Sequence, residues 1–111
     1  MSAADLSITL ARTEAGVDVA LRSVLDAASA PLLRTELGRL HQEGCRHVVL
    51  DLADVSFVDS AGLGVLIAAL KRFRANRGSL RLRRPHRQVA RMFETTGLDV
   101  IFGLDGGTAR A

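Results

Sequence analysis

The chain opens with two short segments in which apolar and polar residues alternate. The apolar positions are Leu6, Ile8 and Leu10 in the first segment and Val17, Val19 and Leu21 in the second. Alternation with a period of two places one face of a strand in a core and the other in solvent. The turn-forming residues Glu14, Ala15 and Gly16 separate the segments, so we expect an antiparallel hairpin.

Three later segments show helical spacing instead. The residues that carry it are Leu33, Leu37 and Leu40, then Leu63, Leu66, Ile67, Leu70 and Phe73, and finally Val89, Met92 and Phe93. The first helix is predicted over residues 30–43, with Ser29 as its cap and Pro31 in its first turn. The second is predicted from Ser60 to Asn76 or Arg77. A glycine follows each helix as a terminator.

Further strands are predicted between these helices. The segment from Val48 to Leu52 is apolar on both faces, which favours a central strand, whereas Leu80 and Leu82 alternate with polar residues. A short last strand is expected at residues 100–102. Strands separated by helical crossovers pair in parallel. We therefore expect an α/β fold with a mixed sheet of four or five strands and helices mainly on one face.

Composition supports one domain over residues 1–111, with 103–111 as a flexible tail. The chain has 111 residues, of which 48% are apolar and 24% charged. Its longest apolar run, from Ala61 to Leu70, is about half the roughly 20 residues that a membrane-spanning helix needs, so we expect no membrane insertion. The N-terminus lacks the pattern of a secretory signal and Cys45 is the single cysteine, which favours the cytoplasm.

Positive charge is concentrated in one stretch, although the net charge is only +3. Its members are Lys71, Arg72, Arg74, Arg77, Arg81, Arg83, Arg84, Arg87 and Arg91, with no acidic residue among them. Such a stretch can attract nucleic acid, anionic lipid or an acidic protein. Phe73 is the only interleaved aromatic residue, so a solvated face is favoured and no direct binding of nucleic acid is expected. The role of residues 71–91 stays open.

Common catalytic motifs are absent from the sequence, including the nucleophile elbow and the phosphate-binding loop. Two sets of residues resemble metal ligands: His41, Cys45 and His47 for zinc, and Asp51, Asp54 and Asp59 for magnesium. The first set lacks a nearby fourth ligand, and aspartates at strand ends and helix starts are ordinary turn and capping residues. We therefore expect no enzyme activity, no metal ion and no cofactor.

The segment from Val55 to Gly64 stands out. A strand leads to a turn at Asp59, and the second helix begins there with Ser60 and two glycines in its first turns. Ser60 is then either a simple N-cap or an exposed hydroxyl with a function. Each glycine costs a helix up to about 1 kcal/mol relative to alanine, so Gly62 and Gly64 suggest close approach by a partner.

This segment resembles the STAS domain, which sulfate transporters share with bacterial anti-sigma factor antagonists. The matching residues are Asp59, Ser60, Ala61, Gly62 and Leu63, and the resemblance continues in residues 25–31, 49–52 and 93–98. It departs before Leu25-Asp26, where the family often has a glycine and an acidic or polar residue but this chain has Ser23 and Val24.

The resemblance implies that the chain is an anti-sigma factor antagonist and a substrate, not an enzyme. In the antagonists the serine matching Ser60 is phosphorylated by the anti-sigma factor, an ATP-dependent serine kinase, and a metal-dependent serine phosphatase reverses the modification. The implied antagonist binds the kinase, releases a sigma factor and is switched off by phosphorylation. The expected partner-binding residues are Asp26, Ser29, Asp59, Ser60, Ala61, Gly62, Leu63 and Gly64, on a monomer.

An alternative function follows from the same resemblance. Related domains are accessory subunits of lipid or solute transporters and bind the cytoplasmic ATPase, and there Ser60 would be structural. An adjacent kinase or sigma-factor gene would favour the first function, and an adjacent permease or ATPase gene the second.

Overall fold

The computed structural model of the protein describes residues 6–97, which form a mixed four-stranded sheet and three helices. In chain order the elements are β1 (Ser7–Arg12), β2 (Val17–Leu25), α1 (Ala30–Gln42), β3 (His47–Val58), α2 (Ser60–Ala75), β4 (Ser79–Arg83) and α3 (Arg87–Thr96). The strand order is β1-β2-β3-β4. The first pair is antiparallel and the other two are parallel, which confirms the predicted hairpin and crossovers.

The helices begin close to where the sequence places them, and β3 differs most from its prediction. It is one continuous strand of 12 residues, which joins the predicted segment from Val48 to Leu52 with the strand predicted to lead to the turn at Asp59. The expected strand at 100–102 and the expected tail at 103–111 lie outside the described residues.

The pairing of β3 with β2 contains two irregularities. While β2 advances from Ala20 to Arg22, β3 advances from Asp51 to Asp54, and one step from Ser23 to Val24 matches two steps from Val55 to Phe57. Each irregularity adds one residue to β3. As a result Val55 and Val58 are both buried although they are three positions apart, a spacing that would place them on opposite faces of a regular strand.

Ser23 lies beside the second irregularity and has a φ of 98°. A residue with a side chain is strained in this region, whereas glycine adopts it freely. The glycine that the resembled family often has here would fit this backbone, so the departure at Ser23 carries a local conformational cost.

All three helices contribute to one core, which covers a single face of the sheet. The strands supply Val17, Val19, Leu21, Val48, Leu50, Leu52, Leu80 and Leu82, and the helices supply Leu33, Leu37, Leu40, Val65, Leu66, Phe73, Val89 and Phe93. Residues that alternate with these, such as Ala20, Arg22 and Arg81, are exposed on the other face. The expectation of helices mainly on one face is therefore confirmed.

Asp51 is the one carboxylate on that open face that is buried among residues 6–97, with 7% of its surface exposed. It accepts hydrogen bonds from the Arg84 guanidinium and from the Ala53 N–H at 3.0 Å, and Arg83 lies 3.6 Å away. Burial by itself raises the pKa of Asp51, but these hydrogen bonds and the arginine charges together hold it below the usual range. The ionised carboxylate thus ties β3 to the end of β4.

We predict that Asp51→Asn lowers the free energy of unfolding at pH 7 by about 1–2 kcal/mol, because the neutral amide loses the charge that strengthens the hydrogen bonds from Arg84 and from the Ala53 N–H. A carboxyl with a lowered native pKa stabilises the fold above its unfolded pKa of about 3.9 and loses that contribution as the pH falls further. Urea denaturation should therefore show the full difference from wild type at pH 7 and a difference that shrinks as the pH falls through the lowered native pKa of Asp51.

Asp18→Asn is the matched control, because Asp18 is more exposed and lies 3.7 Å from Arg83. This substitution should lower the free energy of unfolding only slightly at either pH. If Asp51→Asn lowers the free energy of unfolding as much in acid as at pH 7, the charge of the carboxylate is not the cause of the lost stability.

Candidate functional site

The predicted site lies at the edge of the sheet where the parallel strands β2 and β3 end. β2 leads into the loop at residues 26–29, and β3 leads into α2. The Asp59 N–H donates to the Leu25 carbonyl at 3.0 Å, so the two strand ends are joined by a backbone hydrogen bond. Neighbouring parallel strands place their carboxyl ends at the same edge, which brings together residues far apart in sequence.

Asp59 connects the loop to the helix. It is the N-cap of α2, and its Oδ1 accepts from the Gly62 N–H at 2.9 Å. Its Oδ2 accepts from the Ala27 N–H at 3.2 Å. Both carboxylate oxygens are therefore engaged within the protein, which makes Asp59 a residue that positions its neighbours.

Asp26 and Ser29 organise the loop that Asp59 holds. Asp26 Oδ1 accepts from the N–H groups of Ala28 and Ser29 at 3.0 and 3.1 Å. The Ser29 hydroxyl donates to the Val24 carbonyl at 2.8 Å and accepts from the Asp26 N–H at 2.9 Å. Ser29 occupies the N-cap position of α1 as predicted, but its side chain makes no capping bond, because the loop uses this hydroxyl. Ser29 is 1% exposed, so it can influence a partner only by shaping that loop.

Ser60 differs from these residues because its hydroxyl is not used. It is the first residue of α2 and is exposed. Within residues 6–97 its side chain makes no hydrogen bond, and the capping role belongs to Asp59. The alternative in which Ser60 is a simple N-cap is thus wrong. Its Oγ is open to an approaching reagent at a helix N-terminus.

The two glycines of α2 have different surroundings. Gly62 is buried, and a Cβ there would lie 2.6 Å from the Leu25 carbonyl oxygen and 2.7 Å from Leu25 Cγ. Gly64 is exposed and a Cβ there would meet nothing within 4 Å. The expectation that Gly62 leaves room for a partner is wrong, because β2 already occupies the space. Ala61 and Leu63 are partly buried beside them.

The other candidate ligands are dispersed. The His41 ring packs edge-on against Phe73 with centroids 5.6 Å apart, and His47 Nδ1 lies 2.9 Å from Ser79 Oγ. The Cys45 thiol contacts the His47 carbonyl at 3.6 Å. In the part of the chain that the structure describes, no group of three or more His, Cys, Asp or Glu residues could hold a metal ion.

Two further surface properties bear on the site. All nine basic residues of the stretch 71–91 are exposed. Each helix between residues 6 and 97 falls short of the length and hydrophobicity needed to cross a bilayer.

Sequence reasoning missed two exposed apolar side chains. Phe57, near the end of β3, is 52% exposed, and Leu32, in the first turn of α1, is 43% exposed. The sequence held no signal for Phe57, because a regular strand would place it on the same face as Val55, which is buried. Leu32 lies outside the predicted stripe of Leu33, Leu37 and Leu40, so the helical spacing of α1 contained the signal for its exposure.

Comparison with known proteins places this geometry in a family. The family model described as the STAS domain matches residues 7–110. An anti-sigma-B factor antagonist from Bacillus subtilis is 34% identical over 98 residues, which cover 87% of this chain and 89% of the relative. A structure titled as a putative anti-sigma factor antagonist from Thermotoga maritima superposes with a TM-score of 0.81 at 26% identity, covering 85% and 81% of the chains.

The fold is also shared with a more distant protein. The structure of the Bacillus cell fate determinant SpoIIAA in its phosphorylated form has a TM-score of 0.70 at 22% identity, with 85% of this chain and 86% of that one covered.

Substitution of the two glycines by alanine should separate their roles. Gly62→Ala is expected to lower the free energy of unfolding by about 1–3 kcal/mol, because its methyl group overlaps the Leu25 backbone. Gly64→Ala should leave stability unchanged or raise it by up to about 1 kcal/mol, because alanine is the better helix former. Urea denaturation of the two variants measures both effects. Equal stability of the two would show that β2 does not approach α2 as closely as described.

Proposed function

Since the chain belongs to the STAS domain family, we propose that it is an anti-sigma factor antagonist, which binds an anti-sigma factor with serine kinase activity and thereby frees a sigma factor. One observation carries the proposal: the Ser60 hydroxyl is exposed and unbonded, while both carboxylate oxygens of the adjacent Asp59 are engaged within the protein. The name of the Bacillus subtilis relative supports it, as does the capture of SpoIIAA in a phosphorylated form.

Phosphorylation of Ser60 transfers the γ-phosphoryl group of ATP to its Oγ and the hydroxyl proton to a base of the kinase. This chain contributes position only. Because Asp59 caps α2 with one oxygen and holds the loop with the other, the first turn that carries Ser60 is fixed before the kinase arrives. A metal-dependent serine phosphatase reverses the step, and its metal belongs to the phosphatase.

The phosphate switches binding through charge and size. It adds about −1.5 to −2 charge at the N-terminus of α2, where backbone amides favour an anion by about 0.3–1 kcal/mol. The fold therefore tolerates it. At the surface the same group adds bulk and negative charge beside Asp59 and near the loop that carries Asp26, so a partner that fits the free form is repelled.

The test uses the cognate kinase with labelled ATP. Wild-type protein should incorporate one phosphate at Ser60, and Ser60→Ala should incorporate none but should still bind the kinase, whether or not ATP is present. Ser56→Ala is the matched control, because Ser56 is also exposed and lies just before the site. It should be labelled like wild type. Label that remains in Ser60→Ala, or failure of the wild type to bind, would overturn the proposal.

Phosphorylation should change affinity without refolding the domain. We expect the free and phosphorylated forms to differ by less than about 1 kcal/mol in the free energy of unfolding, since the anion sits at a favourable helix end. Affinity for the kinase should fall at least about tenfold, which corresponds to about 1.4 kcal/mol. Calorimetry measures the stability of the two forms and their affinity for the kinase, and NMR shows whether the core is rearranged. Large chemical-shift changes throughout the core would indicate a conformational switch instead.

A further inference from the structure

A groove runs between α1 and α2, on the side of the helices that faces away from the sheet. Its lining residues are Arg34, Leu37, Gly38, Val65, Ala68, Ala69, Arg72 and Phe73. The floor is apolar, and Ala68 is exposed at its margin. A concave apolar floor of this kind accepts an aliphatic side chain from another molecule.

Two arginines flank this floor without a carboxylate partner. Neither Arg34 nor Arg72 forms a salt bridge within residues 6–97, whereas Arg39 of the same helix α1 pairs with both Glu36 and Glu43. The Arg72 guanidinium lies over α1, since its Nη1 would be 3.4 Å from a Cβ at Gly38. The sequence of α2 contains no acidic residue. The groove therefore combines an apolar floor with uncompensated positive charge, which is complementary to an acidic segment.

The surface of α2 connects this groove with the candidate phosphorylation site. Ser60, Gly64 and Ala68 are exposed and follow each other at intervals of four residues, so they share one face of the helix. A helix rises 1.5 Å per residue, which puts Arg72 about 18 Å from Ser60 along the axis. The small side chains at Gly64 and Ala68, between Ser60 and Arg72, allow another helix to lie close to α2.

We propose that the α1–α2 groove is a second docking point for the anti-sigma factor, occupied by a helical segment that carries acidic residues around an aliphatic side chain. This inference rests on the proposed function. The aliphatic side chain enters the apolar floor, and the carboxylates pair with Arg34 and Arg72. The separation of about 18 Å from Ser60 exceeds the Debye length of about 8 Å at physiological ionic strength. The groove therefore contributes equally to binding of the free and phosphorylated forms.

Two kinds of variant test the groove by affinity for the cognate kinase. Ala68→Leu blocks the floor at an exposed helical position where leucine is almost as favourable as alanine. The double variant Arg34→Glu with Arg72→Glu reverses the charge. Each should weaken binding at least tenfold for free and phosphorylated protein alike, and raise KM for phosphorylation of Ser60 while kcat stays unchanged.

Matched controls carry the same changes on the open face of the sheet and at the turn before β4. Ala20→Leu and the double variant Arg77→Glu with Arg81→Glu alter exposed residues outside the groove. They should bind within twofold of wild type, and circular dichroism should show that all four proteins are folded. Ala68→Leu changes volume and the double arginine variant changes charge. A local disturbance of packing in one of them would therefore not explain a loss of binding in the other.

The outcomes separate the groove from the proposed function. If wild type does not bind the kinase, the proposed function fails and the docking point with it. If wild type binds but the groove variants match the controls, the docking point alone is overturned. Equal losses in the charge-reversed groove and control variants would show general electrostatic attraction, as to any acidic molecule, and would also overturn it.

Discussion

The carboxylate of Asp59 is the interaction on which the site depends. One oxygen caps α2 through the Gly62 N–H and the other holds the Ala27 N–H of a loop that follows a different strand. Both bonds form only when β2 and β3 lie in register, and the Asp59 N–H to Leu25 carbonyl bond secures that register at the strand ends. The loop, the strand ends and the first turn of α2 are therefore joined into one hydrogen-bonded unit.

Close packing reinforces the same unit. α2 approaches β2 so closely at Gly62 that any side chain there would overlap Leu25. The two additional residues in β3 bring its end to this position while Val55 and Val58 stay in the core. The strained backbone at Ser23 lies at the same point, so the strand geometry that shapes the site carries a conformational cost.

The hydrogen bonds formed within the protein determine which polar groups of the site remain free for a partner. Asp59 uses both carboxylate oxygens, Ser29 its hydroxyl and Asp26 one carboxylate oxygen to hold the loop and the helix. Ser60 keeps a free hydroxyl on the rigid turn that they build, and Gly64 and Ala68 continue the exposed surface along α2. A modification at Ser60 can then alter the surface without disturbing the bonds that maintain the fold, since none of them involves its side chain.

The sequence by itself determined the features that depend on local pattern. Period-two alternation located the hairpin, helical spacing located all three helices, and the segment from Asp59 to Leu63 pointed to the family and to Ser60. These signals are local, because side-chain direction repeats within a few residues. The two irregularities of β3 escaped the pattern, because they exist only relative to β2.

Only the tertiary structure decided how residues distant in sequence share the site. Asp59 and Ala27 are 32 residues apart, and no local period reports their hydrogen bond. The same is true of Gly62, whose missing side chain makes room for Leu25 and not for a partner, and of Ser29, whose hydroxyl serves the loop instead of capping α1. Asp51 was an ordinary strand aspartate in the sequence and became a buried ion-pair partner once Arg84 folded against it. In each case the physical reason is that a contact depends on the distance between two chain segments, which residue spacing along one segment does not contain.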